Sequence, residues 1–331
     1  MVPETEQVAL GWPRPRVTRI EPRGKLLRLV PGAIQVRYAL AVHPRLISTL
    51  FALEGPLEFG QWALVSLRHR DLELAVLRAN WNCGHFYHWS AHGAWAYVRG
   101  LASGHRPRWA AQLNEAIKIG PTAEFWDPRQ AALLTAYDEL HRDRAMSRES
   151  VRALREFGFS DKQLTEIAFV TGHYQLLGMM LESAGAPGEP LMRPLMGSPD
   201  DTWSPVPRIR RTPDRLPGTA AMWLPGDTVE IATHPMLAWA LRVFDRALGR
   251  ICSIDRDELA AALRGELGTG SRQAVLTRAV GELDTEYFLS DDTWIALREH
   301  YTEAQLLELC LFVGHSLTHV MLANTVRALR N

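Results

Sequence analysis

The chain has 331 residues, 47% of them hydrophobic, enough to bury the cores of two domains of ordinary size. Lysine plus arginine and aspartate plus glutamate both total 37, so no excess of positive charge selects nucleic acid or anionic lipid, and a small molecule or a protein is the expected partner. The three cysteines, Cys83, Cys252 and Cys310, lie far apart and form no CxxC pattern, which argues against a disulfide framework and a cysteine metal site and points to a reducing, cytoplasmic setting.

The first stretch, MVPETEQVALGWPRPR, carries acidic residues early and lacks an apolar run of signal-peptide length, so a soluble, unexported protein is expected. Apolar residues then recur at three- and four-residue spacing, without the alternation of strands, which predicts an all-α architecture. Residues 70–100, RDLELAVLRANWNCGHFYHWSAHGAWAYVRG, hold three of the twelve histidines within eight positions. On a helix His85, His88 and His92 fall within about 60° of one another, so one face would present three imidazoles. Gly84 stands where such a helix could begin, and its unpaired N–H groups would favour neutral imidazoles or a bound anion. A metal is a third reading of the cluster, with Glu73 or His69 completing the ligand set. Cys83 reads first as a buried small residue, and Trp81, Trp95 and Trp109 as core or interface.

Helical patterning continues to about residue 185. Eight prolines and three glycines then crowd the region from Gly185 to Pro217, and we assign residues 186–225 to a linker between residues 1–185 and 226–331. Arg208, Arg210 and Arg211 within it read as a solvated cluster. The two flanks resemble each other. Arg129-Gln130-Ala131, Glu139-Leu140 and Ser147 recur as Arg272-Gln273-Ala274, Glu282-Leu283 and Ser290 at an offset of 143. Gln163-Leu164, Gly172-His173 and Met179 recur as Gln305-Leu306, Gly314-His315 and Met321 at 142. His43-Pro44 matches His234-Pro235, and Arg70-Asp71 with Leu77-Arg78 matches Arg256-Asp257 with Leu263-Arg264.

A duplication accounts for these matches. Fifty residues separate Arg78 from Arg129 but seven separate Arg264 from Arg272, so the second copy lacks 50 − 7 = 43 residues, the histidine segment among them. It also carries Leu259 in place of Glu73. It is therefore read as a catalytically silent copy, with segments 164–181 and 306–323 as a pair of buried helices. His315 and His319 could ligate a metal, but the matched His173 is followed four residues later by Leu177, so they read as core.

On these residues the chain resembles the carboxymuconolactone decarboxylase and AhpD superfamily. AhpD-like proteins carry a glutamate on one helix and CxxCxxxH opening the next, the glutamate nineteen residues before the final histidine; here Glu73 precedes His92 by nineteen. His85 and His88 stand at the two cysteine positions. Gly84, Tyr87, Trp89 and His92 fit the G-x-x-Tyr-x-Trp-x-x-His pattern of the branch without redox cysteines. The resemblance covers most of residues 40–185 and, weakly, 230–330. It implies a tandem AhpD-like helical fold, a homo-oligomer, and no cofactor. With no thiol pair, AhpD-like peroxide reduction is not expected. The residues left, a carboxylate and imidazoles, move protons. The resemblance assigns Glu73 and His92 as the acid/base pair, with His88, His85 and Tyr87 as orienting groups or secondary proton donors and Trp89 and Cys83 as substrate contacts. The expected substrate is a small carboxylated, lactone or polyketide-like molecule. The rival readings are an AhpD-like antioxidant and a non-catalytic binding or assembly protein.

Overall fold

The computed structural model describes residues 65–102, 107–186 and 230–330, with short stretches between residues 16 and 50; the proline-rich segment lies outside them. Among the described residues all regular structure is helical. The first half contributes α1 (His69–Cys83), α2 (Phe86–Ala102), α3 (Pro107–Ile119), α4 (Pro128–Asp143), α5 (Arg148–Glu156) and α6 (Asp161–Ser183). The second contributes α7 (Pro235–Ile251), α8 (Arg256–Arg264), α9 (Ser271–Thr285), α10 (Asp291–Arg298) and α11 (Glu303–Arg330).

Polar residues of the sequence stop and start these helices. Ser147 and Ser290 cap α5 and α10, and each donates its N–H and hydroxyl to the glutamate eight residues earlier, Glu139 or Glu282. Ser160 with Gln163 and Thr302 with Gln305 form reciprocal caps at the starts of α6 and α11. A cap of this kind contributes about 1 kcal/mol.

α6 and α11 are buried on nearly every face and form the centre of the molecule. α11 is long and apolar enough to cross a membrane, but 94% of its apolar window is buried by the protein itself. The two helices touch at glycines. A Cβ on Gly172 would stand 2.9 Å from the Cα of Thr318, and one on Gly314 would stand 2.7 Å from the Cα of Leu176. Thr318 is four residues past Gly314 and Leu176 four past Gly172, so each helix meets the other in the same way.

That exchange recurs around the crossing. Buried Glu166 accepts the N–H groups of Ser66 and Leu67 and the Ser66 hydroxyl, and His234 Nε2 lies 3.2 Å from it. Glu308, at an offset of 142, accepts the N–H and hydroxyl of Ser253, and His43 Nε2 lies 2.7 Å away. Each glutamate thus holds a serine of its own half and a histidine of the other. In both histidines Nδ1 accepts a backbone N–H, from Leu46 or Leu237, so Nε2 carries the proton offered to the carboxylate. Burial alone would raise the Glu308 pKa, but the hydrogen bonds from His43 and Ser253 hold it below the usual carboxylate range.

Among the described residues the non-glycine positions with left-handed backbone are Arg144, φ 55°, and Tyr287, φ 62°, which are 143 apart. The Arg144 guanidinium donates to the carbonyl of Asp284, and the Tyr287 hydroxyl donates to the carbonyl of His141, again matched positions. α2 and α3 have no counterpart in the second half, where α8 is followed after a short loop by α9.

Candidate functional site

α1 and α2 are joined by a two-residue turn. Gly84, φ 69°, ends α1 in the left-handed conformation, with its N–H bonded to Trp81 and the His85 N–H bonded to Asn80. α2 starts at once, as the Trp89 N–H returns to the His85 carbonyl. So tight a hairpin lays the helices side by side, and a residue eleven positions before Gly84 meets one eight positions after it.

Those residues are Glu73 and His92. His92 Nδ1 lies 3.1 Å from Glu73 Oε2, and His69, one turn before Glu73, brings Nε2 to 3.5 Å from the other carboxylate oxygen. The Glu73 and His92 side chains are 16% and 15% exposed, which leaves them within reach of a solute while removing most of the water. Tyr174 of α6 stands edge-on to both His88 and His92, with ring centroids 5.6 and 5.3 Å away. His88 is buried, and its pKa is driven well below the ordinary histidine value by burial first, then by the neighbouring His92, His85 and His173. It is therefore a neutral imidazole at physiological pH, able to accept or relay a proton but not to supply a fixed positive charge.

The expectation of three imidazoles on one working face is corrected at His85. Its ring lies against Gly178, where a Cβ would overlap it, and Nε2 donates to the Tyr287 carbonyl at 2.9 Å. His85 therefore ties the first half to the second. The free helix start expected there is also occupied, since the Phe86 N–H donates to the Glu182 carboxylate. Among the described residues His85, His88 and His92 do not bring three ligand atoms together for a metal.

Tyr87 is buried, its ring edge-on to His88 at 5.3 Å. Trp89 is buried against Trp81, 5.0 Å between ring centroids. Cys83 is buried with Sγ 3.6 Å from His141 Nδ1, and the His141 ring stacks on Tyr287. Trp95 is exposed and Trp109 packs against the core. Tyr174 and His173 join the cluster from α6 without having been read as site residues from the sequence. A signal for Tyr174 was present: it follows the Gly172-His173 pair, which recurs as Gly314-His315, and the residue after the recurrence is Ser316.

No family model, curated protein sequence or solved structure matches this chain.

Proposed function

We propose that this chain is a tandem, carboxymuconolactone decarboxylase-like enzyme that moves protons on a small carboxylated, lactone or polyketide-like substrate, with one working site in its first half. The observation that carries the proposal is the Glu73–His92 contact at 3.1 Å in a half-sheltered position. With Nδ1–H directed at the Glu73 carboxylate, the His92 ring is held in one tautomer, and Nε2 keeps its lone pair for a substrate proton. His69 beside the second carboxylate oxygen steadies Glu73. Neutral His88 and the Tyr174 ring limit water around His92 and offer a second proton carrier. Abstraction at one atom and return at another serves decarboxylation, isomerisation, cyclisation or lactone opening, and no cofactor enters such a step. Thiol peroxidation is outside this reading, because His85 and His88 stand where a redox cysteine pair is needed. The reciprocal crossing at Gly172 and Gly314, the exchanged Glu166 and Glu308 partners, and the matched left-handed residues support the duplication. The exposed stripe Met236, Trp239 and Val243 on α7 suits the homo-oligomer that belongs to this reading.

Solvent-deuterium exchange into a panel of β-keto acids, enol-lactones and cyclic diketones, followed by NMR, tests the assignment. Glu73→Gln and His92→Asn should each slow exchange about 100-fold with circular dichroism unchanged. Equal rates in wild type and both variants across the panel would remove the assignment.

A further inference from the structure

A second polar cluster is built from α7 and α11 of the C-terminal half. His315 and His319 stand one turn apart on α11, so both rings leave the same face, and Asp245 reaches them from α7. Three atoms close a triangle: His315 Nε2 is 2.5 Å from Asp245 Oδ1, His319 Nε2 is 3.2 Å from the same oxygen, and the two ring nitrogens are 3.1 Å apart. Both imidazoles are 2% exposed, while the Asp245 carboxylate keeps 19% and connects the cluster to solvent.

Hydrogen bonding serves this triangle poorly. If each imidazole donates from Nε2 to the shared oxygen, two N–H groups of like polarity crowd to 3.1 Å as they converge on one acceptor. If one imidazole turns its lone pair inward, that lone pair faces the carboxylate oxygen. A cation removes both conflicts, because all three atoms then direct lone pairs at one point. The dimensions suit an ion. Ligands around a tetrahedral zinc at ~2.0 Å are spaced by ~3.3 Å. For sides of 2.5, 3.1 and 3.2 Å, a point ~1 Å out of the plane lies ~2.0 Å from all three atoms.

The comparison of the two halves adds an independent point. His315 matches His173, but His319 matches Leu177, so the second imidazole of this pair exists only in the half whose Glu73 counterpart is Leu259. The apolar residue in the first half shows that the helix can form with an aliphatic side chain at that place.

We propose that Asp245, His315 and His319 bind a divalent transition-metal ion, zinc or ferrous iron, through two imidazoles and one carboxylate, with the remaining coordination open on the Asp245 side. A two-histidine, one-carboxylate set on one face of the ion suits either metal. The site stands whether or not the Glu73–His92 assignment does.

The full-length chain, stripped with a chelator and dialysed, is titrated with Zn²⁺ against a chromophoric competitor, with Fe²⁺ under anaerobic conditions, and with Co²⁺ as a spectroscopic probe. One equivalent should bind per chain, with ligand-field absorption for Co²⁺ and a raised melting temperature for each metal. Asp245→Asn and His319→Leu should each weaken binding about 100-fold or more and abolish the melting shift, whereas Glu73→Gln and His92→Asn should change neither. His319→Leu reproduces the residue of the matched helix, so it keeps the test usable if Asp245→Asn does not fold. Folded wild-type protein that takes up no metal, binding undiminished in His319→Leu, or loss of metal in the Glu73 and His92 variants instead would each overturn the proposal.

Discussion

Replacing Gly314 by alanine tests the crossing of α6 and α11 directly. The new methyl would stand 2.7 Å from the Cα and 2.8 Å from the Cβ of Leu176, where ordinary contacts are 3.4–4 Å, so the helices must separate by about 1 Å. Because backbone atoms receive the methyl, no side-chain rotation relieves it. Overpacking of this kind costs about 1–3 kcal/mol, and alanine returns up to about 1 kcal/mol through its better helix propensity. A net loss of roughly 1–2 kcal/mol is expected for Gly314→Ala. Gly172→Ala, whose methyl would meet the Cα of Thr318 at 2.9 Å, should behave alike. The double variant is the sharper test. Once the helices have moved apart for one methyl, the second enters more easily, so the double loss should fall short of the sum by about 1 kcal/mol. Urea unfolding of the four proteins, read by circular dichroism, measures all of these quantities. Single variants as stable as wild type, or strict additivity, would refute the description of the two glycines as one shared contact.

Two further outcomes follow from buried titratable groups. His88 is neutral in the fold with its pKa lowered well below 6.5, so as pH falls below 6.5 the unfolded chain gains a proton that the folded chain refuses. Stability should therefore decline between pH 6.5 and 5 by up to ~1.4 kcal/mol per pH unit from this residue, and His88→Gln should flatten that slope in urea titrations at successive pH values. Glu308 is displaced in the same direction: its pKa is lowered in the fold, so its contribution is complete above the unfolded carboxylate range and is lost as pH falls through the folded pKa. Glu308→Ala strands His43 and the Ser253 N–H in the interior and should destabilise by roughly 3 kcal/mol at pH 7, and a variant within 0.5 kcal/mol of wild type by urea unfolding would contradict that role.

Local signals in the sequence carried the parts of the fold that depend on neighbours along the chain. Gly84, read as the start of a helix, lies at the turn where α1 ends and α2 begins, and Ser147 and Ser290, matched at an offset of 143, each cap a helix, α5 and α10. The pairing of Glu73 with His92 came from the spacing that the family resemblance implies, and the tight turn at Gly84 gives it a physical reason, since such a turn decides which positions of two consecutive helices oppose each other. Helical period tells which face of a segment is apolar but not which segment will lie against it. Hence Tyr174, which reaches the cluster from α6, and Tyr287, which arrives from the other half to engage His85 and His141, left little trace. Asp245 is 70 residues from His315, and without it the two histidines of α11 looked like filling. His85 was misjudged because helical phase was extended to a residue that precedes the helix.

The traded histidines have a consequence for how this chain can be divided. Severed within residues 187–229, the N-terminal piece would keep Glu166 but forfeit His234, and the C-terminal piece would keep Glu308 but forfeit His43. Each fragment would lose the imidazole N–H that its interior carboxylate accepts, yet each carries the imidazole its sibling lacks. Co-expressed, the two should seek one another out and restore both contacts.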